Sequence, residues 1–146
     1  MDLTTAFKII TYTLWGGLAL YIAIVDYRTR LIDLLQLIIF ALLGILIIFI
    51  QEKTLYDTMF IAGLPLLIFG LGQLTKSLNI GGADWIFFPA FLVFFNWDQS
   101  VLVFMLSIFI MTVLSQTKRQ KNKLFETPFI TILVFSGLLV QGASYV

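Results

Sequence analysis

The sequence contains no cysteine and no histidine among its 146 residues. These two side chains supply Cys/His zinc sites, thiol nucleophiles, disulfide frameworks and Ser-His catalytic pairs, so their absence excludes all four. Charged residues are also scarce, at 12%, and the formal net charge is only +1. So small a charge gives no indication of a nucleic-acid partner. The remaining polar chemistry therefore depends mainly on carboxylates.

Apolar residues fill the space that charged residues leave. Hydrophobic side chains make up 60% of the chain, and the mean hydropathy is +1.03. The surfaces of soluble domains are roughly a quarter to a third charged, and this chain has too few charges to cover one. The composition excludes a water-soluble fold and predicts a protein embedded in a lipid bilayer.

Six apolar runs, the fourth of them short, are candidates to cross about 30 Å of hydrocarbon as helices. They are approximately Phe7–Val25, Leu31–Ile50, Thr58–Leu74, Asp84–Phe95, Ser100–Gln116 and Pro128–Tyr145. The predicted fold class is therefore an all-α membrane protein, a compact bundle of about six transmembrane helices. No connection is long enough for a separate domain, so residues 1–146 are expected to form a single transmembrane domain.

The basic residues predict the orientation of this bundle. If the segments after the first, third and fifth helices are cytoplasmic, seven basic residues lie inside and two lie outside. The positive-inside rule then predicts that the N-terminus and the C-terminus are both outside. The inside set is Arg28, Arg30, Lys76, Lys118, Arg119, Lys121 and Lys123, and the outside set is Lys8 and Lys53.

The eight acidic residues divide evenly between the two faces in this arrangement. Asp26, Asp33, Asp84 and Glu126 are on the cytoplasmic side, and the other four are assigned to solvated loops. Asp26 ends the first predicted helix and Asp84 begins the fourth, so antiparallel connectivity brings them to the same depth. Carboxylates near hydrocarbon are costly, and such residues usually pair with one another or have a function.

Each of these two acids also has a purely structural interpretation. Asp26 is close to two arginines and fits an interfacial salt bridge. Asp84 fits a helix N-terminus, where the helix dipole favours a carboxylate. Gly81 and Gly82 favour a function instead, because glycines permit a tight turn and the close approach of an extended peptide.

Two facing carboxylates cannot both ionise cheaply, so they share one proton. One then acts as a general base on water and the other as a general acid. This is the chemistry of an aspartyl protease, with Asp26 and Asp84 as the predicted catalytic residues. Asp84, at a helix start, is expected to hold the charge and Asp26 the proton.

The segments that carry these acids resemble the type IV prepilin peptidase family, which includes the preflagellin peptidases. Its members are membrane aspartyl proteases with a G-x-G-D motif. The first segment reads DYRTRLID over residues 26–33, in which Ile32 matches the family and Asp33 stands where proline is usual. The second reads GGAD over residues 81–84, with Ala83 in place of the second glycine.

Two further positions bear on this resemblance. Trp85 and Ile86 follow the second aspartate, whereas the family commonly has a lysine two residues after it. The stretch Thr127-Pro128-Phe129 matches a proline-aromatic segment before the last helix of the family. The resemblance thus covers most of the chain.

The resemblance implies an endopeptidase of the cytoplasmic (inner) membrane, multi-pass, with its active site at the cytoplasmic face. Its substrate would be a prepilin or pseudopilin precursor, cut after a basic leader peptide. Asp33 and Glu126 are candidates to recognise the charge of the leader, and Gly81 and Gly82 to support the peptide. No cofactor and no metal is expected, and the oligomeric state stays open.

Many bacterial members of the family carry an N-terminal segment with paired CxxC motifs, which is associated with N-methylation of the cleaved pilin. This sequence has no cysteine, so a minimal form without the methyltransferase activity is expected. Two other functions remain open. The acids could line the ion or proton path of a small transporter. Alternatively, the protein could be a catalytically silent scaffold of a pilus or secretion machine.

Overall fold

A computed structural model describes residues 2–29, 31–74, 82–119 and 129–144. All regular structure in these ranges is helical, which confirms the predicted all-α class. The elements are α1 (Leu3–Thr29), α2 (Leu34–Ile50), α3 (Leu55–Thr58), a π-helical segment (Met59–Gly63), α4 (Leu64–Leu74), α5 (Gly82–Leu92), α6 (Trp97–Arg119) and α7 (Phe129–Ala143). Because α3, the π-helical segment and α4 run on without a break, the described chain forms six continuous helical stretches.

The π-helical winding in the third stretch lies just before a proline. Pro65, the second residue of α4, has no amide hydrogen to donate to the carbonyl of Ile61. The stretch stays continuous although a proline lies within it.

The first helix is longer than its apolar run. α1 continues to Thr29, beyond the predicted end at Val25. The added turn contains polar residues, and the Thr29 hydroxyl donates to the carbonyl of Val25 at 3.0 Å. Asp26 therefore lies within the last turns of α1 and not at its end, which corrects the prediction.

The junction between α5 and α6 also differs from the prediction. α5 ends at Leu92, before the predicted Phe95, and α6 begins at Trp97, before the predicted Ser100. The backbone N–H of Asn96, just before α6, donates to the side-chain oxygen of Gln99 at 3.4 Å. This pairing is that of a capping box, a polar start signal that a search for apolar runs does not detect.

Two helices are long and apolar enough to cross a membrane, judged on length and composition alone. They are Leu3–Thr29 and the Trp97–Leu114 part of α6. The other apolar helices of the described chain are shorter, between 10 and 17 residues.

Aromatic side chains form much of the buried core. The ring of Trp15 stacks on the rings of Phe40, Phe91 and Phe94, with centroid distances of 5.6, 5.2 and 4.3 Å. Phe87 stacks on Phe40 at 4.5 Å and is fully buried. The phenylalanine-rich segment of α5 is thus interior packing, and α5 is central to the bundle.

Close approaches at two glycines let α5 pack tightly on its neighbours. A Cβ on Gly44 of α2 would lie 3.1 Å from the carbonyl oxygen of Ala90. A Cβ on Gly137 of α7 would lie 2.7 Å from Phe91 Cζ and 2.9 Å from Phe95 Cζ. Side chains at either position would push the helices apart, so these glycines fix the spacing of α5 from α2 and α7.

Outside this core, the helices present large apolar side chains outward. Leu42 and Phe49 of α2 and Met105 and Phe109 of α6 are each at least 60% exposed. Phe135 and Leu138 of α7 are each 56% exposed. The bundle therefore has an apolar exterior as well as an apolar core.

The polar residues that matter below lie at the two ends of the bundle. We call one the aspartate end, where Asp26 of α1, Asp33 before α2, Asp84 of α5 and Thr131 of α7 are located. The opposite one is the lysine end, which contains Gln51, Lys53, Phe95, Gln99 and Ser144. Antiparallel connections between successive helices account for this separation.

Candidate active site

Asp26 is held by the first turn of α7. Its carboxylate oxygen Oδ2 accepts a hydrogen bond from the backbone N–H of Thr131 at 3.3 Å and lies 3.3 Å from the Thr131 hydroxyl. That hydroxyl also donates to the carbonyl of Ala23, one turn before Asp26, at 2.9 Å. Asp26 is half-buried at this α1–α7 contact.

The position of Thr131 in α7 explains why its amide is available. Thr131 is the third residue of α7, and the first four N–H groups of a helix have no partner inside the helix. A capping side chain normally accepts such a hydrogen bond from its own helix. Here Asp26, on α1, accepts it from α7. The positive end of the α7 dipole is also favourable for a carboxylate.

Asp84 occupies the first turn of α5, two residues after Gly82. It is half-buried, and its neighbours Ala83 and Trp85 pack against the core. Asp84 therefore fits in part the structural interpretation, which is a carboxylate at a helix N-terminus. It lies in the first turn, but two residues of the helix precede it. Its side chain is placed at the rim of the core.

The first turn of α7 connects the segments that carry the two acids. Thr131 bonds to Asp26, and Phe129 packs on Phe88, one turn after Asp84, with ring centroids 5.6 Å apart. Phe88 is fully buried. The structure therefore brings α1 near Asp26 and α5 near Asp84 onto one short piece of α7.

Asp33 lies at the same end and acts as a helix cap. It is the N-cap residue of α2, and its Oδ1 accepts the N–H of Leu35 at 3.0 Å. The side chain is exposed. Aspartate is among the preferred N-cap residues, which explains how the chain enters α2 without the proline that is usual in the family.

No described residue lies close to Gly82. Among the described residues, nothing lies within 4 Å of the position that a Cβ would take there. Gly82 is exposed at the start of α5. The other two predicted site residues, Gly81 and Glu126, lie outside the described residues.

The lysine end has a different set of contacts. The Lys53 amine donates to the carbonyls of Val93 and Phe95, and the Gln51 side-chain amide donates to the carbonyl of Phe94 at 3.1 Å. These are carbonyls just past the end of α5, where a helix lacks internal donors. Burial lowers the pKa of Lys53 to about 8, although the negative charge of Asp57 opposes the shift.

A polar cleft opens beside Lys53. Its volume is about 750 Å³, and its lining includes Lys8, Tyr12, Glu52, Asp57 and Trp97. The two basic and two acidic side chains balance each other. The cleft is at the opposite end of the bundle from Asp26 and Asp84, so it is not part of the predicted site.

Sequence reasoning did not identify Thr131. The only local signal was the proline-aromatic stretch before the last helix, which ends two residues earlier. Thr131 is 105 positions from Asp26 in the chain, and its contact arises only when α7 packs on α1.

The site can be compared with known proteins. Neither a curated protein nor a solved structure matches the chain. The sequence pattern of the type IV leader peptidase family matches residues 13–116, well over half of the chain. The match includes Asp26, Asp33 and Asp84 and ends before α7. The chain therefore belongs to the type IV leader peptidase family, a family of peptidases.

Proposed function

We propose that this protein is an intramembrane aspartyl endopeptidase in which Asp26 and Asp84 form the catalytic pair. The observation that supports this most is the first turn of α7, which bonds to Asp26 and packs one turn beyond Asp84. Both acids are in the part of the chain that matches the family. With no cysteine and no histidine in the sequence, carboxyl groups are the main candidates for general acid–base catalysis at this end of the bundle.

The proposed setting is the cytoplasmic membrane. Outward-facing side chains such as Leu42 and Phe109 are apolar, and water would be a poor solvent for such a surface. The charged residues are concentrated at the two ends of the bundle, where headgroups and water would meet them. Residues 1–146 would then form one multi-pass peptidase domain with the aspartate end at the cytoplasmic face.

The proposed reaction is hydrolysis of one peptide bond. One carboxylate takes a proton from water while the water oxygen bonds to the scissile carbonyl carbon, and the other carboxyl group protonates the carbonyl oxygen. As the tetrahedral intermediate collapses, the proton gained from water passes to the leaving nitrogen and the C–N bond breaks. At the same time, the charged carboxylate takes the proton of a hydroxyl group of the intermediate, so the products are a carboxyl and an amine terminus and the pair again holds one proton.

The proposed substrate is a prepilin-like or pseudopilin precursor with a basic leader. Asp33 is exposed at the aspartate end and carries a negative charge that a basic leader would meet. Glu126 is proposed to assist it. Gly82, which has no described residue within 4 Å of its Cβ position, and the neighbouring Gly81 would let an extended backbone approach Asp84.

Co-expression with a candidate prepilin tests the proposal by following leader removal as a gel shift. We expect Asp26→Asn and Asp84→Asn each to reduce cleavage at least about 1000-fold, because each removes a proton carrier from the pair. Asp98→Asn is the matched control, since Asp98 occupies the first turn of α6 at the lysine end. It should cleave like the wild type.

The other outcomes separate the alternatives. Cleavage that survives both substitutions at the pair would contradict an aspartyl mechanism. Absence of cleavage by well-folded wild-type protein, tested on several prepilins, would favour a silent scaffold, to which the Ala83 and Trp85 departures from the family pattern are also suited.

A further inference from the structure

Thr131 differs from other threonines of the bundle in the direction of its hydrogen bonds. Thr11, Thr13 and Thr29 of α1 each donate their hydroxyl to the carbonyl four residues earlier in the same helix. Thr131 instead directs both its amide and its hydroxyl toward α1. A threonine that only satisfied its own hydroxyl would need neither contact.

The amide of Thr131 holds one oxygen of the Asp26 carboxyl group. A backbone amide nitrogen can donate a hydrogen bond but cannot accept one. Oδ2 of Asp26 is therefore kept as an acceptor at 3.3 Å from the Thr131 nitrogen. The carboxyl group is thereby tied to the first turn of α7.

The hydroxyl of Thr131 can adjust to the charge of Asp26. It has a single hydrogen and two acceptors within reach, the Ala23 carbonyl at 2.9 Å and Asp26 Oδ2 at 3.3 Å. The hydrogen is drawn to Oδ2 when the carboxylate is charged and returns to Ala23 when it is neutral. The carboxyl group thus stays anchored through a change in its protonation.

We propose that Thr131 is a positioning residue that holds the carboxyl group of Asp26 in place for proton transfer during hydrolysis. This inference rests on the proposed function, in which Asp26 gains and loses one proton in each turnover. Holding the reacting carboxyl group in one place preserves the near-attack geometry, and an error of about 1 Å costs roughly 100-fold in rate.

Steady-state cleavage of a purified prepilin by Thr131→Val and Thr131→Ser variants tests this role. Valine keeps the amide and the shape but has no hydroxyl, and serine keeps both donors. We expect Thr131→Val to lower kcat roughly 10- to 100-fold with KM unchanged, and Thr131→Ser to retain most of the activity. Thr131→Ala removes the hydroxyl without adding bulk and has the same expected effect on kcat, should valine prevent folding.

Thr11→Val is the matched control, because Thr11 is a buried helical threonine whose hydroxyl donates to the carbonyl of Phe7 in its own helix. It should leave kcat per folded molecule unchanged. A Thr131→Val or Thr131→Ala enzyme with wild-type kcat would overturn the inference, as would equal losses in the valine and serine variants. Asp26→Asn in the same assay distinguishes failure of the Thr131 inference from failure of the proposed function, because a fully active Asp26→Asn enzyme contradicts the proposed function itself.

Discussion

The two ends of the bundle use polar side chains at helix termini in opposite ways. At the lysine end, Lys53 and Gln51 donate to carbonyls that follow the C-terminus of α5. At the aspartate end, Asp26 accepts an N–H from the N-terminus of α7, and Asp84 lies in the first turn of α5. Both arrangements agree with the helix dipole, which favours cations at C-termini and anions at N-termini.

The ends differ in what the contacts accomplish beyond helix capping. At the lysine end, the side chains of Gln51 and Lys53 donate to backbone carbonyls just past α5, and we call these bonds the clamp. The aspartate end collects titratable carboxyl groups on helices that are distant in sequence. A fold needs caps, but it does not need two half-buried acids at one end, and this excess is the reason for proposing the catalytic site there.

The largest effect on stability is expected at the contact between α5 and α7, which both run from the aspartate end to the lysine end. Gly137→Ala would put a Cβ within 3 Å of Phe91 and Phe95, so overpacking should cost about 1–3 kcal/mol. Thermal unfolding of the purified protein in detergent measures this loss. Gly17→Ala is the control, since nothing lies within 4 Å of its Cβ position, and it should be neutral or stabilising by about 0.5–1 kcal/mol. Equal unfolding temperatures for both variants would contradict the packing described.

The next effect isolates the lysine end. Lys53→Met keeps an unbranched side chain but removes the donors to the Val93 and Phe95 carbonyls, and we expect a loss of about 1–2 kcal/mol. Cleavage per folded molecule should stay at the wild-type level, because Lys53 is at the opposite end from Asp26. Lys8→Met, in the same cleft, removes a charge without removing that clamp and should be close to neutral. A loss of kcat in Lys53→Met would show that the ends are not separate in function.

A smaller effect is a pH dependence of stability at the lysine end. The pKa of Lys53 is about 8 in the folded protein and 10.5 when unfolded, so between these values the unfolded state binds more protons. Stability therefore rises as the pH increases from about 8 to about 10.5, by about 1 kcal/mol once partial solvent exposure is considered. Below pH 8 both states are protonated and this contribution is constant. Chemical denaturation at several pH values should show the rise in wild type and its absence in Lys53→Met.

The smallest effect concerns a buried hydroxyl between the ends. Ser136 of α7 is fully buried, and its Oγ has no hydrogen-bond partner among the described residues. Ser136→Ala removes this unsatisfied group, so stability should be unchanged or increase by about 1 kcal/mol. Ser107→Ala is the comparison, because the Ser107 hydroxyl is equally buried but donates to the Val103 carbonyl at 2.6 Å. A greater loss for Ser136 than for Ser107 would indicate an unrecognised partner.

The helices were predictable because their apolar runs are long and their interruptions are polar. The same pattern placed Asp26 and Asp84 at one end. Successive helices run in opposite directions, so the end of the first helix and the start of the fourth lie on the same side. It could not give the true ends of α1 and α5. Thr29, in the last turn of α1, donates its hydroxyl to a backbone carbonyl, and the Lys53 amine donates to carbonyls that follow α5. Local hydropathy indicates neither contact.

Contacts between distant segments were also beyond the sequence. Lys53 belongs to a connection assigned to solvent, yet burial is what lowers its pKa. The hydrophobicity of the α5 phenylalanines is compatible with a lipid-facing or a buried position. Only packing against Trp15 and Phe40 identifies Phe87 and Phe91 as interior. Thr131 lies two residues beyond the proline-aromatic stretch, and its bonds to Asp26 and Ala23 arise only from the α1–α7 contact.

The central claim is that Asp26 and Asp84 form one site. Because the natural chain has no cysteine, an Asp26→Cys/Asp84→Cys double variant contains only the two thiols of interest. A short bifunctional thiol reagent, followed by mass spectrometry of the linked peptides, should join positions 26 and 84 efficiently. An Asp26→Cys/Asp98→Cys variant, which pairs opposite ends, should not be joined within one molecule. Linkage of 26 to 84 no greater than of 26 to 98 would contradict the account.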